Sequence, residues 1–122
     1  MKFLWTTVYV KNLEESIAFY SDILGLQVTK RFPAGPGVEI AFMGNGTPGE
    51  TLIELLADST HSNINFTECL SIGFAVESLD AIRVLLNSKN IPVDSEVIET
   101  PGSKFFFISD PNGLIIQFFQ QK

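Results

Sequence analysis

One carboxylate stands inside an apolar segment of the chain. Glu54 occupies the middle of the run from Leu52 to Leu56, whose other members are all leucine or isoleucine. A carboxylate that is covered in such a setting must be hydrogen-bonded, paired with a cation or protonated. Glu54 is therefore a candidate general base or an anchor for a cationic group. The structural alternative is a polar cluster that satisfies its own hydrogen bonds.

Two aromatic side chains near the N-terminus could contact a flat or cationic group. Trp5 and Tyr9 lie within residues 3–10, where apolar and polar residues alternate as in a strand. Residues of the same parity share a strand face, so these two side chains point one way while Val8 and Val10 point the other way. An indole offers a π face to an aromatic ring or a cation, and a phenol offers a hydroxyl group. The alternative is that both rings belong to the core.

The usual catalytic and metal-binding patterns are missing. His61 is the only histidine, and a solvated loop side chain is expected there; Cys69 is the only cysteine, and a buried, inert thiol is expected. Cys69 shares strand parity with Ser71, so an unusual metal site of Glu54, Cys69 and His61 remains an alternative. The chain has no G-x-S-x-G, H-E-x-x-H or C-x-x-C pattern and no phosphate-binding glycine loop. A hydrolase or nucleotide-binding function therefore has no support.

The first half of the chain reads as strand, helix and three strands. After the strand at residues 3–10, Asn12 and Glu15 have the spacing of a capping box and predict the start of a helix. Gly25 predicts its end. The helix is predicted to bury a stripe of Ile17, Tyr20 and Leu24, and strands are predicted at residues 26–32, 38–43 and 51–57.

The same order of elements returns after a polar connector at residues 58–67. A strand is predicted at residues 69–76, and Ser78 caps a helix that runs through Leu86 and ends near Asn90. Further strands are predicted at residues 93–99, 104–109 and 113–120, with a turn at residues 110–113 between the last two.

This repetition predicts the fold class. The interval from Trp5 to Ser71 equals the interval from Asn12 to Ser78, which indicates a duplicated strand–helix unit. We expect an α+β fold with pseudo-two-fold symmetry, in which Trp5, Ser71, Glu54 and Gln117 lie on the sheet face away from the helices. The prediction is a single domain at residues 1–122, made of two βαβββ modules at about residues 1–57 and 69–120.

Two longer segments carry a resemblance to a known family. The segment Thr-Val-Tyr-Val-Lys-Asn-Leu-Glu-Glu-Ser-Ile-Ala-Phe-Tyr-Ser-Asp-Ile-Leu-Gly-Leu runs from Thr7 to Leu26, and Ser-Asp-Pro-Asn-Gly-Leu-Ile-Ile-Gln-Phe runs from Ser109 to Phe118. In this order they resemble the vicinal oxygen chelate superfamily, which includes glyoxalase I, extradiol dioxygenases, epimerases and the fosfomycin- and bleomycin-resistance proteins. The resemblance covers essentially the whole chain. It implies a cupped mixed sheet with helices outside, and a homodimer that in some members exchanges modules.

The resemblance also implies where a metal would bind. In metal-dependent members each module supplies one ligand, usually His, from its first strand and a Glu from its last strand. Those positions here are Trp5, Glu54, Ser71 and Gln117. An indole cannot ligate a metal, and a hydroxyl and an amide are neutral, weak donors. We therefore expect neither a metal nor another cofactor.

These differences from the metal ligands of the family favour a metal-free small-molecule-binding protein of the glyoxalase/bleomycin-resistance type. Its ligand is expected to be aromatic or cationic. One alternative is a glyoxalase-like lyase, isomerase or dioxygenase-type enzyme that uses Glu54, and another is a non-catalytic interaction module. The residues expected to bind the ligand are Trp5, Tyr9, Glu54, Ser71, Gln117 and Phe119.

Composition limits the partners. The chain of 122 residues has 8 Lys and Arg against 14 Asp and Glu, a net charge of −6, which repels nucleic acid and anionic membrane surfaces. A lone cysteine forms no internal disulfide, and no segment predicts a signal peptide or a membrane span, so a cytoplasmic protein is expected. An apolar fraction of 45% with 11 Phe predicts apolar surface that faces a cavity or a second subunit.

Overall fold

Each half of the chain folds as one helix with a four-stranded mixed sheet. The computed structural model describes residues 1–122, and they divide into a first unit, Met1–Asn65, and a second unit, Phe66–Lys122. The predicted α+β class and the two βαβββ modules are thus confirmed. Neither helix, at 10 residues each, has the length and apolar character needed to cross a bilayer.

The first unit has the strand order β1-β4-β3-β2. β1 pairs in parallel with β4, and the other two pairs are antiparallel. The parallel pair requires a long crossover connection, and the helix and the other two strands form it. The elements are β1 Trp5–Tyr9, α1 Leu13–Asp22, β2 Gln27–Pro33, β3 Val38–Gly44 and β4 Leu52–Asp58.

The second unit repeats this topology with the order β5-β8-β7-β6, in which β5 is parallel to β8. The elements are β5 Ser71–Ala75, α2 Leu79–Ser88, β6 Ile98–Glu99, β7 Ser103–Ser109 and β8 Ile115–Gln121.

The strand predicted at residues 93–99 is wrong except for its last two residues. Only Ile98–Glu99 pairs with β7. Upstream, the Ser95 hydroxyl accepts the backbone N–H of Phe107 at 3.1 Å, and Asp94 donates its N–H to the Phe107 carbonyl at 2.9 Å. The Ser95 hydroxyl thus accepts the hydrogen bond from Phe107 N–H that a backbone carbonyl accepts in a regular sheet. The segment therefore lies along β7 without forming a strand.

The helix ends follow the predicted local chemistry. The Asn12 side chain accepts the Glu15 N–H at 2.9 Å, and the Ser78 hydroxyl accepts the Ala81 N–H at 3.1 Å. Gly25 has a φ of +69°, a left-handed conformation that glycine adopts without a steric cost, so it ends α1 as predicted.

Removal of the N-cap of α2 tests how much capping contributes to the stability of the protein. We expect Ser78→Ala to lower the free energy of unfolding by about 1 kcal/mol, because the Ala81 N–H loses its acceptor. Urea denaturation followed by circular dichroism measures the change. Ser78→Asn keeps an acceptor and should retain most of the stability; equal losses in both variants would argue against a capping role.

The predicted stripe of α1 is correct only in Tyr20, which is fully buried. Ile17 and Leu24 are only half-buried. The buried line is displaced around the helix, because Ser16 and Phe19 are buried in place of Ile17 and Leu24. The Phe19 and Tyr20 rings have centroids 5.4 Å apart. The residues that α1 and its end bury are Leu13, Ser16, Phe19, Tyr20 and Ile23.

Candidate functional site

The first sheet has one face that leaves its side chains accessible. Trp5 and Tyr9 on β1 are 45% and 38% exposed, whereas Val8 between them is 1% exposed. The alternation predicted for residues 3–10 is therefore confirmed from Trp5 onward, whereas Phe3 and Leu4 precede β1 and are both exposed. The face that carries Trp5, Thr7 and Tyr9 is called the open face below.

A row of four side chains crosses the open face, one from each strand. In the sheet register Thr7 lies opposite Glu54, Glu54 opposite Phe42, and Phe42 opposite Lys30. Residues that are directly opposite each other in neighbouring strands share a face and lie within contact range. This set is called the charged row, because it has a carboxylate and an ammonium group separated by an aromatic ring.

Glu54 is half-buried and hydrogen-bonded within its own unit. The Thr7 hydroxyl donates to Glu54 Oε1 over 2.6 Å. The short distance is typical of a hydroxyl that donates to a charged acceptor. The expectation that this carboxylate needs a partner is met by Thr7. Sequence reasoning missed Thr7 as a site residue, because its position depends on the parallel pairing of β1 with β4.

A β-bulge at Thr29 decides which face Lys30 occupies. Val28 lies opposite Met43, but Lys30 lies opposite Phe42, so one extra residue is inserted in β2. Met43 is fully buried on the other face of the sheet. In a regular strand Val28 and Lys30 would share a face, and the bulge separates them. The Thr29 hydroxyl donates to the Phe42 carbonyl at 3.3 Å at this point.

Aromatic rings line a depression around the charged row. The Trp5 and Phe42 rings meet edge to face with centroids 5.1 Å apart, and Phe32 stacks with Phe42 at 6.2 Å. Lys30 Nζ lies 5.0 Å from the centroid of the Phe32 ring, within cation–π range. This aromatic depression has a volume of about 480 Å³ and is lined by Trp5, Thr29, Lys30, Phe32, Phe42, Leu52 and Glu54.

Tyr9, the other predicted aromatic of β1, lies outside the lining of the aromatic depression. It contacts His61, with ring centroids 5.0 Å apart. His61 is exposed, as predicted for a loop side chain. Structure thus brings Trp5 and Glu54 together and leaves Tyr9 farther along the open face.

In the second unit, Ser71 and Cys69 line a separate depression of about 530 Å³. The prediction that Cys69 is buried is wrong, because the residue is exposed. It precedes β5, which begins at Ser71, so no sheet ladder covers it. The full lining is Glu68, Cys69, Leu70, Ser71, Asp94, Ser95, Phe107, Ser109 and Ile115.

Gln117 occupies the position in the second sheet that Glu54 has in the first. It lies opposite Gly73 on β5 and Phe107 on β7. Gly73 stands where the first unit has Thr7, so no hydroxyl is available there. A Cβ atom at Gly73 would lie 3.4 Å from Gln117 Oε1, so the amide closely approaches the backbone at this point. Phe119, 37% exposed, lies two residues along β8.

The donors at the four positions do not fit a catalytic metal. Trp5 has no lone pair to give, Ser71 and Gln117 offer neutral oxygens, and only Glu54 is an anionic donor. No group of three or more His, Cys, Asp or Glu side chains is placed to hold a metal ion, so His61 and Cys69 belong to no such group. The residues present therefore do not fit the metal that the resemblance implies.

Two carboxylates outside the aromatic depression have displaced pKa values. The Arg31 guanidinium lies 3.1 Å from Glu39 and 2.5 Å from Glu14 of α1. Its hydrogen bond lowers the pKa of Glu39, and both carboxylates raise the pKa of Arg31. The Thr60 hydroxyl and backbone N–H lower the pKa of Asp58. The Arg31 ion pairs connect α1 to the sheet, and the Asp58 hydrogen bonds order a turn. None of these residues lines the aromatic depression.

Comparison with known proteins agrees with this architecture. The chain is 32% identical over 123 residues to the protein YwbC of Bacillus subtilis (strain 168), covering 95% of this chain and 94% of that protein. It is 32% identical over 134 residues to a lactoylglutathione lyase of Neisseria meningitidis serogroup A, covering 100% and 92%. The fold is similar to that of the glyoxalase I of Leishmania major, with a TM-score of 0.85, 24% identity, and 98% and 86% of the two chains covered.

The family assignment rests on nearly the full length of the chain. Residues 2–118 match the sequence profile of the superfamily described as Glyoxalase/Bleomycin resistance protein/Dioxygenase. This range includes the first βαβββ module, the second module as far as Phe118 in β8, and all four positions at which the resemblance implied metal ligands. The chain therefore belongs to the Glyoxalase/Bleomycin resistance protein/Dioxygenase superfamily.

Proposed function

We propose that the chain is a metal-free small-molecule-binding protein of the glyoxalase/bleomycin-resistance type, and that the aromatic depression binds an aromatic or cationic ligand. The observation that supports this most strongly is the half-buried Glu54 carboxylate, held by Thr7 and placed beside the aromatic depression. A carboxylate beside exposed ring faces attracts a cation, and the rings attract a flat apolar group.

The size of the aromatic depression supports a small ligand. A volume of about 480 Å³ lies within the range of roughly 300–1,000 Å³ that is usual for small-molecule sites. Trp5 is 45% exposed although it is a large aromatic residue, so a ligand that covers it removes apolar surface from water. The volume also counts against the interaction-module alternative, which requires side chains to close the cavity.

Trp5 supplies a direct test because it is the only tryptophan in the chain. Titration with small aromatic amines such as benzylamine should change the Trp5 fluorescence in a saturable way. We expect Glu54→Gln to weaken the binding of an amine about threefold, as is typical for the loss of a partly solvated charge pair.

The matched control is Glu96→Gln, which removes an exposed carboxylate in the second unit and should leave the affinity unchanged. A panel of aromatic amines that produces no saturable change in Trp5 fluorescence would contradict the proposed function. Elemental analysis adds a second criterion: a stoichiometric divalent ion that Glu54→Gln releases would contradict the metal-free state.

A lyase function is the second candidate, and the relatives named lactoylglutathione lyase favour it. In this alternative Glu54 acts as a general base that Thr7 orients. Assays for lactoylglutathione lyase activity with and without added divalent metal separate the two candidates. Activity that Glu54→Gln abolishes would favour the enzyme, whereas inactivity under both conditions would favour the binding protein.

We also infer a cytoplasmic homodimer. Several large apolar side chains are exposed, including Phe3 at 66% and Leu4 at 51%, and a second copy could cover them. Sedimentation equilibrium tests this inference, and a monomer at all concentrations would contradict it.

A further inference from the structure

We propose that the aromatic depression selects a zwitterionic aromatic ligand, with an amine directed to Glu54 and an acid group directed to Lys30. This inference rests on the proposed function and specifies the ligand class of the same site. A net charge of −6 taken by itself would instead favour a simple cation.

The backbones that carry the two charged side chains lie at a fixed separation across the sheet. Glu54 on β4 and Lys30 on β2 both lie opposite Phe42 of β3, so their backbones are two strand spacings apart, roughly 10 Å. Phe42 stands between them and its ring contacts those of Trp5 and Phe32. A flat ring that carries opposite charges at its two ends matches this order of carboxylate, aromatic surface and ammonium.

Neither charge is neutralised by another protein charge. Glu54 is hydrogen-bonded to the neutral hydroxyl of Thr7. Lys30 contacts the Phe32 ring and takes part in none of the ion pairs of the structure, which join Arg31 to Glu14 and Glu39 and join Lys122 to Glu99. Both groups can therefore bind a counter-charge on a ligand.

The local charge balance explains why a simple cation is not the best ligand. The protein has a net charge of −6, but Lys30 and Glu54 are the only charged residues that line the aromatic depression. A ligand with a single positive charge is attracted by Glu54 and repelled by Lys30. A zwitterion with separated ends is attracted by both, so each charge adds to its affinity.

Three matched compounds test the proposal. The zwitterion is para-aminomethylbenzoate, the cation is para-methylbenzylamine and the anion is para-methylbenzoate, so all three share one para-substituted ring, and a methyl group replaces one charged group in each singly charged compound. Trp5 fluorescence excited at the red edge measures each dissociation constant. We expect the zwitterion to bind about threefold more tightly than either singly charged compound, since it makes one additional partly exposed ion pair, which contributes about threefold.

Variants assign the preference to the two side chains. Lys30→Met removes the positive charge and retains the length of the side chain, so it should weaken zwitterion binding about threefold while it strengthens or preserves binding of the cation. Glu54→Gln should also weaken zwitterion binding about threefold, while binding of the anion should be unchanged or stronger. Lys89→Met is the control, because Lys89 is exposed in the second unit and the substitution changes the net charge equally.

The outcomes separate the two proposals. Aromatic compounds that bind with no preference for the zwitterion, or a preference for the zwitterion over the cation that persists in Lys30→Met, would overturn the zwitterion proposal and leave the binding function in place. If none of the three compounds alters Trp5 fluorescence, both proposals are wrong. A preference for the zwitterion over the cation that is lost in Lys30→Met and kept in Lys89→Met would establish the charged row as the source of specificity.

Discussion

Phe106→Ala is expected to lower the free energy of unfolding by about 4 kcal/mol, the typical cost of truncating a buried phenylalanine. Phe106 on β7 is fully buried and lies directly opposite Phe118 of β8, with ring centroids 5.7 Å apart. The guanidinium carbon of Arg83 on α2 lies 5.7 Å from the centroid of the Phe106 ring. Truncation therefore leaves a cavity and removes contacts with both the sheet and the helix.

Urea denaturation followed by circular dichroism measures this loss. Val84→Ala provides the control, because Val84 is an apolar residue of α2 that is 70% exposed, and its truncation should change stability by less than about 0.5 kcal/mol. A loss at Phe106 no larger than the loss at Val84 would show that the second unit does not pack as described.

Asp110→Ala is expected to lower the free energy of unfolding by about 3 kcal/mol, because two backbone donors lose a charged acceptor. Asp110 is 5% exposed, and its Oδ1 atom accepts the N–H groups of Asn112 at 2.8 Å and Leu114 at 2.9 Å. These bonds close the turn between β7 and β8, where Gly113 has a φ of +90°. The turn sets the register of the strand that carries Gln117 and Phe119.

Asp110→Asn distinguishes the hydrogen bonds from the volume of the side chain. Its carbonyl oxygen can replace Oδ1 as a neutral acceptor, so we expect a loss of about 1 kcal/mol, clearly smaller than that of the alanine variant. The same denaturation experiment compares them. Equal stability of Asp110→Ala and the unmodified protein would rule out the role of these bonds.

Elements with local signals could be predicted from sequence. Asn12, Ser78 and Gly25 act through hydrogen bonds and backbone conformations within a few residues, and each behaves as predicted. The failures have a non-local cause. The strand predicted before Ile98 does not form, because Ser95 bonds to β7 through its side chain. Cys69 is exposed although it has the same strand parity as Ser71, because it precedes the first residue of β5.

The candidate site was only partly accessible to sequence reasoning. The duplicated pattern predicts that Trp5 and Glu54 lie on the sheet face away from the helices, and both line the aromatic depression. Alternation within one strand carries no information about its neighbours, so the Thr7 partner of Glu54 follows only from the parallel register of β1 and β4. The roles in ligand binding stay predictions for all six residues, Trp5, Tyr9, Glu54, Ser71, Gln117 and Phe119.

The amino-acid sequence alone determined the duplicated βαβββ pattern, the family and the poor donor set at the four ligand positions, because these depend on residue type, spacing and local periodicity. Tertiary structure decided the chemistry of the open face. The bulge at Thr29 shifts the register of β2 by one residue and so brings Lys30 into the row with Phe42 and Glu54. A one-residue shift reverses the face of every later side chain in a strand, and only the pairing of the strands fixes it.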